Sequence, residues 1–267
     1  MPESDSTPHC HLWRGFTNKT QKFTLTPSPP VPDFVSADLQ RLDVEVADDH
    51  LASLARYLDL LLEANRKFNL TGIKDLQTAW RRHVIDSLTI LPFIAGLPAG
   101  ARMIDVGSGG GLPGIPLAVT RRDLNVTLLE ATGKKARFLD ETIATMELTQ
   151  CSVLNARAET AAHDASHRER YDVALCRAVG SMRELLEYAM PFVQIGGSVV
   201  AMKADRAEQE LQDAGHALEV LGAGEVQVYD AYGEGFDNRA VIVIVAKQQA
   251  TPEQYPRRPG VPRSEPL

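Results

Sequence analysis

IDVGSGGGLPG, residues 104–114, is the stretch that decides the fold of this chain. An apolar lead-in that begins at Met103 runs into a cluster of glycines, and a proline and a second apolar run follow. Another apolar run, residues 126–129, ends in Glu130, about twenty residues beyond the glycines. A strand, a glycine turn, a helix and a strand that ends in a carboxylate predict the nucleotide-binding half of a doubly wound α/β fold.

The glycine loop fits two cofactors. Gly109 to Gly114 satisfies the pattern G-x-G-x-x-G of dinucleotide-binding proteins, which is a weak signal when it stands alone. The overlapping register from Asp105 to Gly111, D-x-G-x-G-x-G, resembles the first motif of Rossmann-like methyltransferases that use S-adenosylmethionine. Glu130 is placed to accept hydrogen bonds from the ribose diol that both cofactors carry. A third interpretation is that the glycines only form a tight turn.

The remainder of residues 100–247 alternates strands with helices, which predicts a mostly parallel sheet covered on both faces. Predicted strands span 101–106, 125–130, 151–154, 171–176 and 197–203, and predicted helices span 114–121, 133–147, 181–193 and 205–221. Segments 226–229 and 240–245 are joined by too few residues for a crossover helix, so they predict a hairpin. The sheet therefore gains an antiparallel strand near one edge.

Three features favour the methyl donor over NAD. Asp105 precedes the first glycine, where the strand of a dehydrogenase usually stays apolar. The terminal hairpin resembles the reversed last strand of a methyltransferase sheet, and nothing in the chain looks like the separate substrate domain of a dehydrogenase. The predicted fold class is α/β, with a Rossmann-like S-adenosylmethionine methyltransferase sheet and an N-terminal helical region.

Composition sets broad limits on the function. The chain has 267 residues, of which 44% are hydrophobic and 24% are charged, as in an ordinary globular protein. Apolar runs stay below the roughly 20 residues that span a bilayer, and the first residues lack a secretory signal pattern. We therefore expect a cytoplasmic protein without a membrane partner. The net charge of −7 argues against a nonspecific nucleic-acid coat protein, although a local basic patch remains compatible with it.

Cysteine and histidine usage predicts neither disulfides nor a metal site. Cys10, Cys151 and Cys176 are far apart in the sequence, as expected of free thiols in a reducing compartment. The cluster His9-Cys10-His11 lies in a polar terminal segment without further cysteines at ligand spacing, so we expect no metal there.

The chemistry of methyl transfer narrows the acceptor. Methylation of an exocyclic adenine amine often goes with an Asn/Asp-Pro-Pro-aromatic motif after the fourth strand, and the sequence there is Cys-Arg-Ala-Val, 176–179. Methylation at cytosine C5 needs a cysteine nucleophile, and Cys176 lacks the accompanying proline. Guanine N7 carries an in-plane lone pair and loses no proton, so such an enzyme needs alignment more than a general base.

A set of motifs in one order resembles a single family, the bacterial 16S ribosomal RNA guanine-N7 methyltransferases of the RsmG or GidB type. The motifs are NxxxNLT at 65–71, RHxxDSL at 82–88, the glycine loop at 104–114, YD at 171–172 with RA at 177–178, and TPxxYPRxxGxP at 251–262. The resemblance covers residues 36–267. It implies methylation of guanine 527, in the standard numbering of 16S RNA, with S-adenosylmethionine as the donor.

The resemblance also implies which residues bind the cofactor. The implied set is Gly107, Leu112, Glu130, Ala131, Thr132, Ala158, Glu159 and Arg177. Gly107 and Leu112 would line the loop, Glu130 with the two residues after it would meet the ribose, and 158–159 would lie beside the adenine. Arg177 would close the pocket from the fourth strand. The implied mechanism rests on positioning and needs no general base, so no catalytic residue is assigned. Arg177 is the one candidate for a direct catalytic role.

The sequence divides into four parts by these criteria. We expect a flexible extension at 1–32, an N-terminal helical region at 33–99, the methyltransferase domain at 100–247 and an extended C-terminal tail at 248–267. Residues 163–170 look like a loop insertion. We expect a monomer that acts on 16S ribosomal RNA or the small ribosomal subunit; the alternatives are a non-enzymatic S-adenosylmethionine or nucleotide-binding module and an NAD-dependent oxidoreductase.

Two further groups of residues invite functional interpretations. His83, Asp86 and Ser87 suggest a hydrolase triad, but at this spacing on one helix we favour a buried hydrogen-bond cluster near the site. Basic and aromatic side chains could form an RNA face, although each one alone is more often a solvated surface group. This set is Arg66, Lys67, Arg81, Arg82, Lys134, Lys135, Arg137, Lys203, Tyr255, Arg257 and Arg258.

Overall fold

A computed structural model describes residues 29–204, 206–233, 236 and 240–267. Within these residues seven strands form one sheet. They are Arg102–Val106 (β1), Asn125–Leu129 (β2), Cys151–Leu154 (β3), Tyr171–Arg177 (β4), Val193–Lys203 (β5), Ala223–Asp230 (β6) and Val241–Lys247 (β7). Their order across the sheet is β3-β2-β1-β4-β5-β7-β6.

The first five strands are parallel, and among the described strands only β7 runs in the opposite direction. β1 pairs with β2 and β4, and β7 runs antiparallel between β5 and β6. The predicted hairpin and the predicted methyltransferase sheet are therefore confirmed. β5 begins at Val193, four residues earlier than predicted, because residues 195–197, Ile-Gly-Gly, continue the strand instead of forming a turn. Tyr171 pairs with Val193 across an irregular register in this extra part.

Helices cover both faces of the sheet. The α-helices are Asp33–Arg41 (α1), Asp48–Lys67 (α2), Leu76–Ala79 (α3), Asp86–Leu88 (α4), Leu91–Ile94 (α5), Gly114–Thr120 (α6), Gly133–Thr145 (α7), Ala158–Ala161 (α8), Met182–Ala189 (α9), Ala207–Asp213 (α10), Gly215–Val220 (α11) and Val261–Ser264 (α12). A π-helical turn spans Trp80–Ile85 and a 3₁₀ turn spans Met190–Phe192.

Two predicted helices are shorter than the sequence pattern suggests. The helix predicted over 181–193 ends at Ala189, just before Pro191, which has no N–H to donate. The helix predicted over 205–221 is divided into α10 and α11 at Ala214, directly before Gly215, and glycine lowers helix propensity by about 1 kcal/mol relative to alanine. Helix α8 is an element that the sequence reasoning missed.

The long helix α2 fixes the N-terminal region on one face of the sheet. Its leucines at 51, 54, 58 and 61 are buried at helical spacing, and α2 packs against α6 and α7. Burial of each such side chain contributes roughly 1.5–3 kcal/mol. A second apolar cluster, on the opposite face, joins α9, α10 and α11 to β4 and β5. No helix in the described parts of the chain is both long and apolar enough to cross a membrane.

The two ends of the chain differ in what the structure describes. Residues 1–28, which carry most of the predicted flexible extension, lie outside the described residues, whereas Val31 packs against the core. Residues 248–267, here called the tail, run along the domain and include the helical turn α12. The tail contacts the segment 163–170 through several hydrogen bonds that are described below.

Candidate active site

The glycine loop follows β1 at the carboxyl edge of the sheet, where ligands bind in open α/β folds. Gly107, Gly109 and Gly111 have φ angles of +76°, +59° and +94°, which favour glycine. The backbone N–H groups of Gly107 and Ser108 both donate to the carbonyl oxygen of Leu129, each over 2.9 Å. The loop is thus fastened to the end of β2, beside Glu130.

Asp105 holds the loop from below. Its Oδ2 atom accepts hydrogen bonds from the Ser108 hydroxyl over 2.6 Å and from the Gly114 N–H over 3.0 Å. The side chain is fully buried, and this burial raises the pKa of the carboxyl to about 6. A Cβ on Gly114 would approach Oδ2 to 2.7 Å, so only glycine allows this contact between β1 and α6.

Glu130 is held in place by the backbone around it. Gly109 N–H donates to Oε2 over 2.9 Å and Thr132 N–H donates to Oε1 over 2.7 Å. Asn155, at the end of β3, donates to the Glu130 carbonyl oxygen over 2.8 Å. The carboxylate is buried, yet each oxygen retains lone pairs beyond these bonds. The carboxylate therefore has a fixed position and free acceptor capacity.

The N-terminal helical region supports the loop from the opposite side. Tyr57 on α2 donates its hydroxyl hydrogen bond to the Gly110 carbonyl over 2.7 Å. Burial raises the pKa of this tyrosine well above its ordinary value, so the hydroxyl remains a donor. Leu112 is partly buried against the core. Tyr57 was not singled out from the sequence, where it is one position of an apolar helical face.

Arg177 ends β4 on the far side of the glycine loop. Its Nη2 atom donates to the Arg82 carbonyl and lies 3.4 Å from Asp86 Oδ2, while Tyr232 donates to Asp86 Oδ1. Arg177 Nη1 and Asp105 Oδ1 are buried without a hydrogen-bond partner in the described structure. Unsatisfied buried groups of this kind are costly, and Arg177 Nη1, which lies at the crevice, is typical of a place where a ligand supplies the partner.

Comparison with known proteins identifies the chain. The family model for rRNA small subunit methyltransferase G (GidB) matches residues 50–239. Ribosomal RNA small subunit methyltransferase G of Rubrobacter xylanophilus is 43% identical over 84% of this chain and 86% of the relative. The Moorella thermoacetica protein of the same name is 39% identical over 84% of this chain and 93% of the relative. The chain belongs to this family.

The family membership confirms the predicted enzyme class. It is a methyltransferase family whose donor is S-adenosylmethionine, so the predicted cofactor is confirmed and NAD loses its support. Among solved structures, the CurJ carbon methyltransferase superposes with a TM-score of 0.51 at 15% identity, over 81% of this chain and 70% of that one. This likeness shows the fold alone.

The remaining predicted cofactor residues lie just after β2 and on α8. Ala131 and Thr132 are exposed directly after Glu130. Ala158 and Glu159 lie on α8, four residues after β3 ends. The Glu159 carboxylate is buried and accepts the Gly260 N–H over 3.0 Å, so this side chain faces the tail of the methyltransferase. The structure thus brings the predicted residues to one edge of the sheet.

His83, Asp86 and Ser87 form the buried cluster that we favoured over a hydrolase triad. The Ser87 hydroxyl donates to the His83 carbonyl over 2.5 Å and does not contact the imidazole. His83 Nδ1 donates to the Arg82 carbonyl, and Nε2 accepts from the Thr71 hydroxyl over 2.8 Å. Burial, with the positive charge of Arg177, lowers the pKa of His83 to about 4. The ring is neutral and structural.

Several residues of the predicted RNA face are engaged within the protein. Tyr255 is buried, and Arg257 forms a bidentate pair with buried Glu187 over 2.7–3.2 Å, which favours packing of these two residues along the domain over RNA contact. Lys203 lies 2.6 Å from Glu210. The sequence placed these groups on a surface because it gives no sign of the tail folding inward.

The other members of the set remain at the surface. Arg81 pairs with Asp38 and lies over the Phe34 ring, and Lys67 pairs with Glu63 over 3.0 Å. Within the described parts of the chain, the exposed side chains of this set that form no ion pair are Arg66, Arg82, Lys134, Arg137 and Arg258. Among the described residues no group of three or more His, Cys, Asp or Glu is arranged to hold a metal, and His9-Cys10-His11 lies outside them.

Proposed function

We propose that this methyltransferase transfers the methyl group of S-adenosylmethionine to N7 of guanine 527 in 16S ribosomal RNA. The observation that carries the proposal is the crevice at the carboxyl edge, which joins the glycine loop, the preorganised Glu130 carboxylate and Arg177 in a chain of the rRNA small subunit methyltransferase G family. The relatives' names give the small-subunit RNA, and the chemistry below supports N7.

We propose that the cofactor is held by the eight residues that the family resemblance implies. They are Gly107, Leu112, Glu130, Ala131, Thr132, Ala158, Glu159 and Arg177. Glu130 would accept from the ribose hydroxyls, and the Gly109 position leaves space, since a Cβ there would have its nearest neighbour at 3.8 Å. When bound, S-adenosylmethionine supplies an electrophilic methyl group. The buried, unpartnered Arg177 Nη1 fits such a polar ligand.

The side chains around the crevice favour an acceptor that loses no proton. Asp105 is engaged below the loop, and the neutral imidazole of His83 is engaged with Thr71. Burial raises the pKa of the Cys176 thiol, which disfavours the thiolate that attack on a pyrimidine ring requires. Guanine N7 needs neither a base nor a nucleophile, so alignment within the crevice suffices.

A cavity beside Arg177 is the place where we propose that the guanosine enters. Its volume is about 470 Å³, and it lies at the carboxyl ends of β4 and β5. Arg82, Arg177, Lys203 and Arg206 line it, opposite Asp86 and Glu210. Cations at this position would contact phosphates and hold the RNA in register without reading its sequence. We further propose that the protein acts as a monomer in the cytoplasm.

Mapping of N7 methylation tests the proposal. In 16S RNA from a strain that lacks this gene, borohydride and aniline cleavage at guanine 527 should be lost, and the gene on a plasmid should restore it. Purified protein with labelled S-adenosylmethionine should methylate naked 16S RNA or small subunits isolated from that strain, but not RNA from the parent. Unchanged cleavage in the deletion strain would overturn the acceptor assignment, whereas failure to bind the donor would overturn the cofactor assignment.

A further inference from the structure

Arg168 joins two segments that are far apart in the sequence. Its Nη1 atom donates to the carbonyl oxygens of Ala162 over 3.1 Å and Tyr255 over 2.9 Å. Its Nη2 atom donates to those of Thr251 over 2.7 Å and Pro252 over 3.1 Å. Ala162 directly follows α8, whereas the other three acceptors belong to the tail. One guanidinium thus binds the end of α8 to the tail.

Two further contacts connect the same segments. Gly260 N–H donates to Glu159 Oε1 over 3.0 Å, and Glu159 lies within α8. His163 Nε2 donates to the Pro256 carbonyl over 2.8 Å, because a carbonyl oxygen only accepts. The tail therefore contacts the short helix α8 through the Glu159 side chain, contacts its end through Arg168 and Ala162, and contacts the following loop through His163.

The tail is itself anchored to the rest of the domain. Arg257 pairs with buried Glu187 on α9, and Thr251 N–H donates to Glu169 Oε1 over 2.8 Å. Buried Lys247 donates to the Met190 carbonyl over 2.9 Å. Because the tail is itself fixed to the domain, its hydrogen bonds to α8 hold this helix in one position.

Helix α8 lies beside the crevice at the carboxyl edge of the sheet. The crevice begins at the glycine loop after β1, continues to Glu130 after β2, and next reaches the end of β3. Asn155 links the end of β3 to Glu130, and α8 begins three residues after Asn155. With the ribose at Glu130 as proposed above, the next strand on the side away from the glycine loop is β3, so the attached base would lie beside the end of β3 and α8.

We propose that the tail sets the adenine side of the cofactor site through α8, and that Arg168 is a positioning residue for adenine recognition. This inference rests on the proposed S-adenosylmethionine site. Rigid placement of α8 would fix the backbone and side chains that border the adenine, so its loss would reduce both affinity and discrimination among bases. Contacts to the methionine part of the ligand would be unaffected.

Calorimetry with two ligands tests this role. S-Adenosylhomocysteine and its inosine counterpart, in which a keto oxygen replaces the adenine amino group, are titrated into wild-type protein, Arg168→Ala and the matched control Arg170→Ala. Arg170 is exposed on the same loop, and among the described residues its guanidinium donates only to the Ala165 carbonyl, over 3.2 Å. Thermal melting verifies that each variant is folded.

We expect Arg168→Ala to bind S-adenosylhomocysteine about tenfold more weakly, with most of the preference for adenine over hypoxanthine lost, and Arg170→Ala to match the wild type. If Arg168→Ala does not fold, Arg168→Lys takes its place, because a lysine retains the charge but has three donors for four carbonyls, and a smaller loss of the same kind is expected. Equal weakening of both ligands, or no change, would overturn the proposal. Failure of the wild type to bind either ligand would instead overturn the proposed donor site.

Discussion

Ionisation of Asp105, below the glycine loop, makes the free energy of unfolding depend on pH. Its carboxyl is buried under the loop, and burial raises its pKa from 3.8 to about 6. Below pH 3.8 the group is protonated in both folded and unfolded chains. Between pH 3.8 and 6 the unfolded chain releases the proton while the folded one retains it, so the free energy of unfolding falls as the pH rises. Above pH 6 the full penalty, on the order of 3 kcal/mol, is present.

Asp105→Asn should remove this pH dependence. The amide oxygen can accept from Ser108 and Gly114 as Oδ2 does, but the side chain does not ionise. His83 acts with the opposite sign, because its pKa is lowered from 6.5 to about 4, so the variant must be compared with the wild type at each pH. Urea unfolding between pH 4 and 7 should show the variant gaining up to about 3 kcal/mol over the wild type as the pH rises. A constant difference would contradict the prediction.

Gly109→Val should weaken binding of S-adenosylmethionine at least tenfold. Gly109 has a φ of +59°, which a β-branched residue adopts only with strain, and its added side chain would enter space left open in the crevice. Calorimetry measures the affinity, and Gly215→Ala, at the start of α11 with nothing near its Cβ position, is the control. Unchanged affinity would show that the loop does not contact the cofactor.

At the scale of elements, the tail is held by a buried charge. Glu187 on α9 is fully buried and receives the guanidinium of Arg257 together with its backbone N–H over 2.8 Å. A buried charge whose partner is removed destabilises a protein by roughly 3–5 kcal/mol. The tail is thus anchored to the folded domain through Arg257.

Arg257→Ala should therefore lower the free energy of unfolding by about 3 kcal/mol, since Glu187 would stay buried without its cation. Urea unfolding at pH 7 measures this loss. The neighbouring Arg258→Ala is the matched control, because Arg258 is exposed and surface substitutions usually stay within about 0.5 kcal/mol. If the two variants were equally stable, the buried pair would have no stabilising role.

Strands and helices were predictable from the sequence where a short stretch of residues carries the pattern that defines them. Alternating apolar runs located the strands, and the hairpin followed from a connection too short for a helix. Helix α8 spans only four residues and has no periodicity to detect. The tail contacts were not predictable, because Gly260 bonds to a residue 101 positions away and Arg168 reaches Thr251 over 83 positions.

The same distinction applies to the site. Glu130 follows a strand at the spacing that is typical of ribose recognition, so its place beyond the end of β2 was predictable, whereas its ribose contact stays a prediction. Tyr57 supports the loop from a residue 53 positions away, and Tyr232 reaches Asp86 over 146 positions. Asp105 was correctly singled out, but it serves the loop from within the core instead of facing the crevice. Burial and partner atoms, which decide these roles, depend on the whole fold.

At the scale of the whole molecule, an acidic protein must attract RNA through a local field. The net charge is −7, yet cations flank the crevice on both sides. Beyond Arg177 lie Arg82, Lys203 and Arg206. On the side of Glu130, α7 begins three residues later, and a cavity of about 510 Å³ between α2 and α7 has Lys134 and Arg137 at its wall and Phe68 and Phe138 among its lining residues.

Lys134 and Arg137 should make phosphate contacts in this surface. Each phosphate contact to single-stranded RNA releases counterions and adds about 0.7 to the slope of log affinity against log salt concentration. The double variant Lys134→Ala with Arg137→Ala should therefore bind 16S RNA more weakly and reduce that slope by about 1.4, while its affinity for S-adenosylmethionine stays unchanged. Filter binding at 50–300 mM salt measures the slope.

Arg122→Ala is the control, because Arg122 is exposed just before β2, at the opposite edge of the sheet. An equal loss of slope in the control would mean that RNA binding depends on overall charge, and no loss in the double variant would place the RNA elsewhere.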